Sequence, residues 1–501
     1  MFLGKHSSLW MDNSDDLDFD SLNGDLEVDV IVVGAGIAGL SIATLLKKEG
    51  LTVCVLETRK IGHYITSTST AKISYSSNLI YSHILSNFGR TFGLKFKKAY
   101  FDGFNKIKEI VDDLSIDCDL REVSFYILSE DETKNNFIDM ELNALKELDI
   151  PGKIVDKVPY PFENVSSALV YENQFEFNPM KYLHGLGRYI SGDGSFVFEK
   201  TKVLDIENFE GFKIAKTKNG SVKGKNIVIA TNTPIYDPDS VYKHLIQNKS
   251  HGLGLLLKKD VKDMFIVSNP FHTLRSAPTS KGEMLILLGE HHSIADSTDR
   301  NIFYRNLRDY SDDTFDVDSF EYFFSGGDNL TEDRLAIIGE TSEKGTYIAT
   351  GFNSWGMTTS IMSGIILRDL ILKRENSYLD IFSPLRFKDK ESKIEKEKIE
   401  KFKDVDIEFT DSVSRTVLKM GNDSGKVINC ELGTLAIYKD GDSNSYILDG
   451  RCSHRGCRLH WDNVERIWEC PCHGSVFDYK GNVIRAPAIH NLEKKNVNLL
   501  T

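Results

Sequence analysis

Two short stretches near the end of this 501-residue chain carry residue types that bind metal: Cys452-Ser453-His454-Arg455-Gly456-Cys457 and Cys470-Pro471-Cys472-His473-Gly474-Ser475. Each offers one thiolate and one imidazole, as Cys-x-His in the first and Cys-x-x-His in the second, with fifteen residues between His454 and Cys470. Two Cys and two His make a four-ligand set. A structural zinc accepts such a set, since it binds soft sulfur and borderline nitrogen. A [2Fe–2S] cluster with two Cys on one iron and two His on the other also accepts it. Zinc sites favour pairs of the Cys-x-x-Cys and His-x-x-x-His kind, whereas each stretch here mixes one Cys with one His.

The two stretches resemble the cluster-binding loops of a Rieske iron–sulfur domain. Carried over residue by residue, the resemblance implies that Cys452 and Cys470 ligate one iron and His454 and His473 the other. It also implies a disulfide between Cys457 and Cys472, the pair that ties the two loops together in the subclass that has it. The competing expectation is two reduced thiols, because cytosol disfavours disulfides. Ser475 matches the family's hydroxyl donor to a bridging sulfide, and Phe477 stands where high-potential members carry Tyr. Hydrogen bonds to cluster sulfurs stabilise the reduced, more negative state. One O–H donor fewer therefore implies a potential below that of the respiratory-complex members.

Length and composition bound what must position these loops. A chain of this size implies two to four domains. Hydrophobic residues at 41% and charged residues at 27% are those of a soluble globular protein. A net charge of −13 argues against a nucleic-acid partner, because nothing neutralises phosphates. There is no run of eighteen apolar residues, hence no expected membrane span. The start, Met1 to Asp20, lacks an apolar signal core, so a cytoplasmic location is expected. Cys54, Cys118 and Cys430 stand alone and read as small core residues.

Residues 28–33, Val-Asp-Val-Ile-Val-Val, suit a buried parallel strand. Gly34-Ala35-Gly36-Ile37-Ala38-Gly39 follows, then a helix-forming stretch to Lys48. Gly34 permits a tight turn, Gly36 lets the backbone approach a pyrophosphate, and Gly39 lets helix and strand pack closely. The helix N-terminus then presents free N–H groups to the phosphates. A second strand, Thr52 to Leu56, ends in Glu57, eighteen residues after Gly39. A carboxylate there accepts ribose hydroxyls and repels a 2′-phosphate.

Later segments favour FAD over NAD. Residues 225–232 end in Ala230-Thr231-Asn232 and resemble the strand that returns near the flavin dinucleotide in FAD oxidoreductases. Gly345 to Gly351, then Asn353-Ser354-Trp355-Gly356-Met357-Thr358-Thr359 and an apolar helix from about Ser360 to Leu372, resemble the C-terminal FAD motif of the D-amino-acid-oxidase-like (glycine oxidase, sarcosine oxidase) superfamily. Thr66-Ser67-Thr68-Ser69-Thr70-Ala71-Lys72 resembles that superfamily's Thr-Gly-x-Thr-Thr-Ala-Lys segment, which passes the flavin; Ser67 replaces Gly, which questions the close backbone approach there. The resemblance implies an FAD site that includes Gly34, Gly36, Gly39, Glu57, Thr70, Ala71, Lys72, Thr231, Gly351, Gly356, Met357 and Thr358, with Lys72 and Trp355 as candidate catalytic groups near the flavin.

The expected fold class is an α/β FAD-binding Rossmann-type domain with an α+β substrate domain, plus a small all-β Rieske domain. Residues 1–26 read as a surface extension. Residues 27–375 form the oxidoreductase, with FAD-binding parts at about 27–89, 166–249 and 326–375 and a substrate domain at about 90–165 and 250–325. Residues 376–411 form a charged linker, with a solvated helix over Lys388 to Lys403. Residues 412–501 hold short alternating strands, an antiparallel β-domain. Glu290-His291-His292 lacks a third metal ligand at useful spacing and reads as surface or pocket lining.

Flavin handles electron pairs and the cluster single electrons. The expected activity is therefore a dehydrogenase oxidising an amine or amino-acid-like C–N bond and passing electrons through the cluster to an external one-electron carrier, ferredoxin- or quinone-like. The C–N preference comes from the resemblance alone. Two alternatives stand: a reductase with the flow reversed, and a flavin oxidase whose cluster is a redox sensor or structural element.

Overall fold

The structure, a computed structural model, describes residues 4–12, 17–130, 136–165, 167–296, 298–395, 410 and 412–497. The β-branched run forms strand β1 (Leu26–Val33), followed by helix α1 (Ile37–Lys48) and strand β2 (Val53–Leu56), parallel to β1. Strand β3 (Ser221–Ile229) flanks β1 on its other side, and β4 (Thr346–Thr350) runs parallel to β3. Alternate β1 residues feed two cores, Val30 and Val32 one layer and Ile31 and Val33 the other. A strand buried on both faces needs this unbroken apolar run. Helix α2 (Gly356–Ile371) packs on α1, beginning four residues before the sequence suggested.

The second sheet is larger. In spatial order among the described residues it runs Lys5–His6, Val317–Thr331, Leu245–Leu257, Gly282–Ser293, Phe271–Thr279, Met264–Ser268, Arg121–Leu128, Ala168–Glu176 and Lys72–Ile73, with Lys153–Val155 also on Ala168–Glu176. Helices Ile80–Asp113, Asn136–Leu148 and Arg300–Thr314 accompany it. The expected division of the chain needs correction here. Ala168–Glu176, Leu245–Leu257 and residues 326–331 belong to this sheet rather than to the dinucleotide-binding sheet. Strand pairing over long sequence separation decides this.

The N-terminal stretch also departs from expectation. Much of what is described of it is exposed, but part of it is built into the fold. Lys5–His6 pairs with Val317–Thr331, and Trp10 is 1% exposed. The Trp10 indole N–H donates to the Ser69 carbonyl at 2.7 Å, and the Arg275 guanidinium stacks on its ring. The acidic composition hid one apolar pair, Leu9 and Trp10, that the core takes up.

Among its described residues the C-terminal part has two small antiparallel sheets, one of Ser424–Cys430, Gly433–Lys439 and Ser445–Asp449, the other of His460–Asp462, Ile467–Glu469, Val476–Asp478 and Val483–Arg485. Residues 396–409 and 411 lie outside the described residues, and most of the expected linker helix with them. Cys54 and Cys118 are core residues, whereas Cys430 is only half-buried at a strand end. No helix among the described residues is long and apolar enough to cross a membrane.

Glycine is required at two positions of the dinucleotide motif, one in the turn and one inside α1. Gly34 has φ +104°, and a Cβ there would meet the Ala230 carbonyl oxygen at 2.6 Å. A Cβ at Gly39 would lie 1.8 Å from the Gly34 carbonyl oxygen, which is backbone and cannot yield. Gly39→Ala should therefore push α1 off β1, lowering stability by about 1–3 kcal/mol and releasing flavin. Thermal unfolding and flavin absorbance check this; an unchanged Tm with full flavin would refute it.

Candidate functional site

A cavity of about 1280 Å³ opens where α1 and α2 begin. Gly34, Gly36, Glu57, Thr70, Ala71, Lys72, Thr231, Trp355, Gly356 and Met357 line it. Gly39, Gly351 and Thr358 do not. Gly39 lies in the α1–β1 contact, and the Thr358 hydroxyl donates to the Ser74 carbonyl at 2.8 Å. Ser67 is also off the wall, its hydroxyl donating to the Tyr64 carbonyl at 3.0 Å, so the Gly-to-Ser change leaves the cavity open. The Glu57 carboxylate accepts from the Ala35 N–H at 2.8 Å and the Arg59 N–H at 2.9 Å. Burial raises its pKa and the two N–H groups oppose the shift. Its remaining lone pairs can accept hydroxyls.

Lys72 is buried beside this cavity. Its Nζ lies 2.5 Å from the Phe265 carbonyl and 2.6 Å from the Thr273 hydroxyl. Burial, and then the charge of Arg275, hold its pKa well below the usual lysine range against the pull of Glu176. Trp355 packs its ring 5.8 Å from Phe125. His291 lines the cavity too, held by Asn248 and Ser250; Glu290-His291-His292 forms no metal-ligand cluster among the described residues.

The two metal-ligand stretches fold into matching turns. In the first, Cys452 N–H bonds the Cys457 carbonyl and Gly456 N–H bonds the Cys452 carbonyl. In the second, Cys470 N–H bonds the Ser475 carbonyl and Gly474 N–H bonds the Cys470 carbonyl. Gly456 and Gly474 have φ of +74° and +76°, which glycine adopts without a steric penalty. Cys457 and Cys472 form a disulfide linking the turns. The four expected ligands then meet as two pairs, Cys452 with Cys470 and His454 with His473. The His454 and His473 rings lie 5.1 Å apart, and each Nδ1 is buried without a hydrogen-bond partner. Burial and the neighbouring His473 push His454 down to about 4, leaving it neutral at pH 7. The hydrogen bond with Cys470 draws the Cys452 thiol down to about 7, and pushes the Cys470 thiol up. A neutral His454 imidazole and an acidic Cys452 thiol suit metal ligation.

The turns face the rest of the chain. Tyr242 sets its ring edge-on to both His454 and His473, and the Glu395 carboxylate meets His473 Nε2 at 3.0 Å. Behind them, Lys249 pairs with Asp462 at 2.7 Å and Glu469 at 3.0 Å, and Arg300 reaches the same two carboxylates. His6, Ser325 and Tyr304 converge on Glu465. Sequence reading missed Tyr242, Lys249, Arg300, Glu395 and Arg485, because isolated residues outside a motif carry no local signal of what they will meet in the fold.

Comparison with known proteins decides the class. The profile of the FAD dependent oxidoreductase family matches residues 29–370, and that of the Rieske [2Fe-2S] domain matches residues 411–496. The chain belongs to the FAD-dependent oxidoreductase family and carries a Rieske domain. A Bacillus subtilis protein named as a Rieske 2Fe-2S iron-sulfur protein, YhfW, is 29% identical over 97% of this chain and 96% of its own. The gamma-glutamylputrescine oxidoreductase of Escherichia coli is 26% identical over 44% of this chain and 52% of its own. L-proline dehydrogenase from P. horikoshii shares the fold, with a TM-score of 0.60 and 19% identity over 73% of this chain and 98% of its own.

The cofactors of this class are FAD and a [2Fe–2S] cluster. The residues present fit both. The orphaned Nδ1 atoms and the Cys452–Cys470 pair fit the cluster, and the glycine-lined mouth of α1 with Glu57 fits the dinucleotide. Ser475 Oγ accepts the Ala488 N–H at 3.0 Å, which directs its own O–H toward Cys452. Phe477 is fully buried nearby and offers no donor. Ser475→Ala should therefore lower the cluster's midpoint potential, and Phe477→Tyr should raise it. Film voltammetry checks both; no change in either variant would remove these side chains from the account.

Proposed function

We propose that the protein is a dehydrogenase that oxidises an amine or amino-acid-like C–N bond and delivers single electrons to an external carrier. When bound, FAD supplies two-electron chemistry and the [2Fe–2S] cluster one-electron transfer. The wall shared by the two sites carries this reading. Ile484 to Ala488 stands in the flavin cavity, while Ala488 bonds Ser475 in the second cluster turn. The C–N bond as substrate class is supported by the likeness to L-proline dehydrogenase and gamma-glutamylputrescine oxidoreductase.

Lys72 is suited to prepare such a substrate. A neutral lysine has two N–H groups and one lone pair. Hydrogen bonds to Phe265 and Thr273 can take up both N–H groups, leaving the lone pair for the ammonium proton of an incoming amine. Because the Lys72 pKa is lowered, its base form is gained as pH rises through a value below that of an ordinary lysine. The profile of kcat against pH should carry this rising limb, and Lys72→Met should remove it and lower kcat by about 10²-fold. A limb that survives in Lys72→Met assigns the base elsewhere.

The two faces of the cluster site differ. His473 is buried against Tyr242 and Glu395, whereas Ser453, Arg455 and Gly456 are exposed. The external carrier would approach the exposed turn, where Arg451 and Arg455 favour an acidic partner. The deciding experiment is anaerobic. Amines and amino acids are added while flavin absorbance and low-temperature EPR are followed together. The expected result is flavin bleaching followed by a Rieske-type EPR signal, with bleaching kept and the signal lost in His473→Ala. Reduction by a carrier protein with no response to any amine would instead favour the reverse, reductase direction.

A further inference from the structure

The flavin cavity is not built by the flavin-binding part alone. Val483, Ile484, Arg485, Ala486, Ala488 and Ile489 of the Rieske domain stand in its wall. The Arg59 guanidinium, two residues beyond Glu57, donates to the Ile484 carbonyl at 3.1 Å and holds this segment against the dinucleotide motif.

Arg485 is the charged residue of the segment and is 5% exposed. A buried guanidinium has five N–H groups to satisfy and a charge to compensate. Its Nη2 reaches Asn329 Oδ1 at 3.4 Å, a long contact, and its Nε has no partner. Its flat face lies 5.8 Å from the Tyr64 ring. Among the described residues no carboxylate comes within ion-pair distance of it; the buried Asp328 carboxylate of the same wall feels its charge from farther off. Nη1 passes so close to Gly327 that a Cβ there would stand 2.2 Å away, so a glycine at this position opens the route to the cavity. An under-satisfied cation in the wall of a cavity that receives a dinucleotide calls for an anionic or carbonyl oxygen of that ligand.

We propose that Arg485 is an FAD ligand supplied by the Rieske domain, so that docking of this domain completes the flavin site. By linkage, bound FAD then favours the docked arrangement as much as docking favours FAD. This concerns how the cofactor is held and is independent of substrate and of the direction of electron flow.

The test uses the full chain with its cluster. Apoprotein freed of FAD is titrated with FAD, following quenching of flavin fluorescence, for the unaltered protein and for Arg485→Met, Arg485→Gln and Arg485→Lys. The Rieske EPR signal in each sample reports folding and cluster content. The expected result is a dissociation constant for FAD raised at least about tenfold in the Met and Gln variants, the scale of one charge-assisted hydrogen bond. The Lys variant, which keeps the charge, should recover most of the affinity, and the EPR signal should be full throughout. FAD affinity unchanged in Met and Gln overturns the proposal. Equal loss in all three variants also overturns it, because Arg485 would then fill space rather than donate. If the Met variant does not fold, the Gln variant, which keeps a polar N–H donor without the charge, decides alone.

Discussion

The Lys249 ammonium, buried between Asp462 and Glu469, fixes the relation between the two parts of the chain. Lys249 sits in the strand Leu245–Leu257 of the large sheet, and both carboxylates come from the second Rieske sheet. Burial lowers the Lys249 pKa, but Glu469 and Asp462 outweigh it and raise it. Burial acts on Glu469 in the opposite sense, and Lys249, His460 and Arg300 together outweigh it and hold Glu469 well below the carboxylate range. The depressed carboxylate contributes stability above about pH 4.5 that is lost as pH falls through its folded value. The raised ammonium contributes stability below about pH 10.5 that is lost as pH rises through its folded value. Between these limits the clamp is intact. Removing one partner leaves an unpaired buried charge, at a cost of about 3–5 kcal/mol. A clamp of this kind adds little net stability over a packed apolar contact. Its effect is geometric, since only one placement of the Rieske domain satisfies all three charges.

That placement has consequences at both cofactor sites. It seats Val483 to Ile489 in the flavin cavity and turns His473 toward Tyr242 and Glu395. It leaves Cys452 to Cys457 as the outward turn. The N-terminal stretch tightens the same assembly, with Trp10 supporting the Ser69 carbonyl beside the flavin segment and His6 meeting Glu465 of the Rieske domain. An element that reads as a tail thus touches the cavity loop, the large sheet and the cluster domain.

Local rules carried the sequence reading where function depends on a short run. The turn at Gly34 to Gly39 is legible because a backbone atom occupies the space a side chain would need. The two cluster turns are legible because a four-ligand set is confined to 22 residues and because glycine stands where φ is positive. The division of the middle of the chain was not legible. Ala168–Glu176 and Leu245–Leu257 are apolar enough for either sheet, and periodicity does not say which strands will pair. Gly351 and Thr358, carried over with a motif, fall behind the cavity wall, because a motif fixes a local turn and not which of its residues face inward.

The sequence by itself determined the two cofactor chemistries, since each follows from residue types within a few positions of one another. Only the tertiary structure decided that the two sites share a wall, that Lys249 and Arg300 clamp the cluster domain, and that Arg485 enters the flavin cavity. These contacts join residues more than a hundred positions apart. Their energy comes from burying charges and surfaces together, and a buried charge has no defined partner until the chain has folded around it.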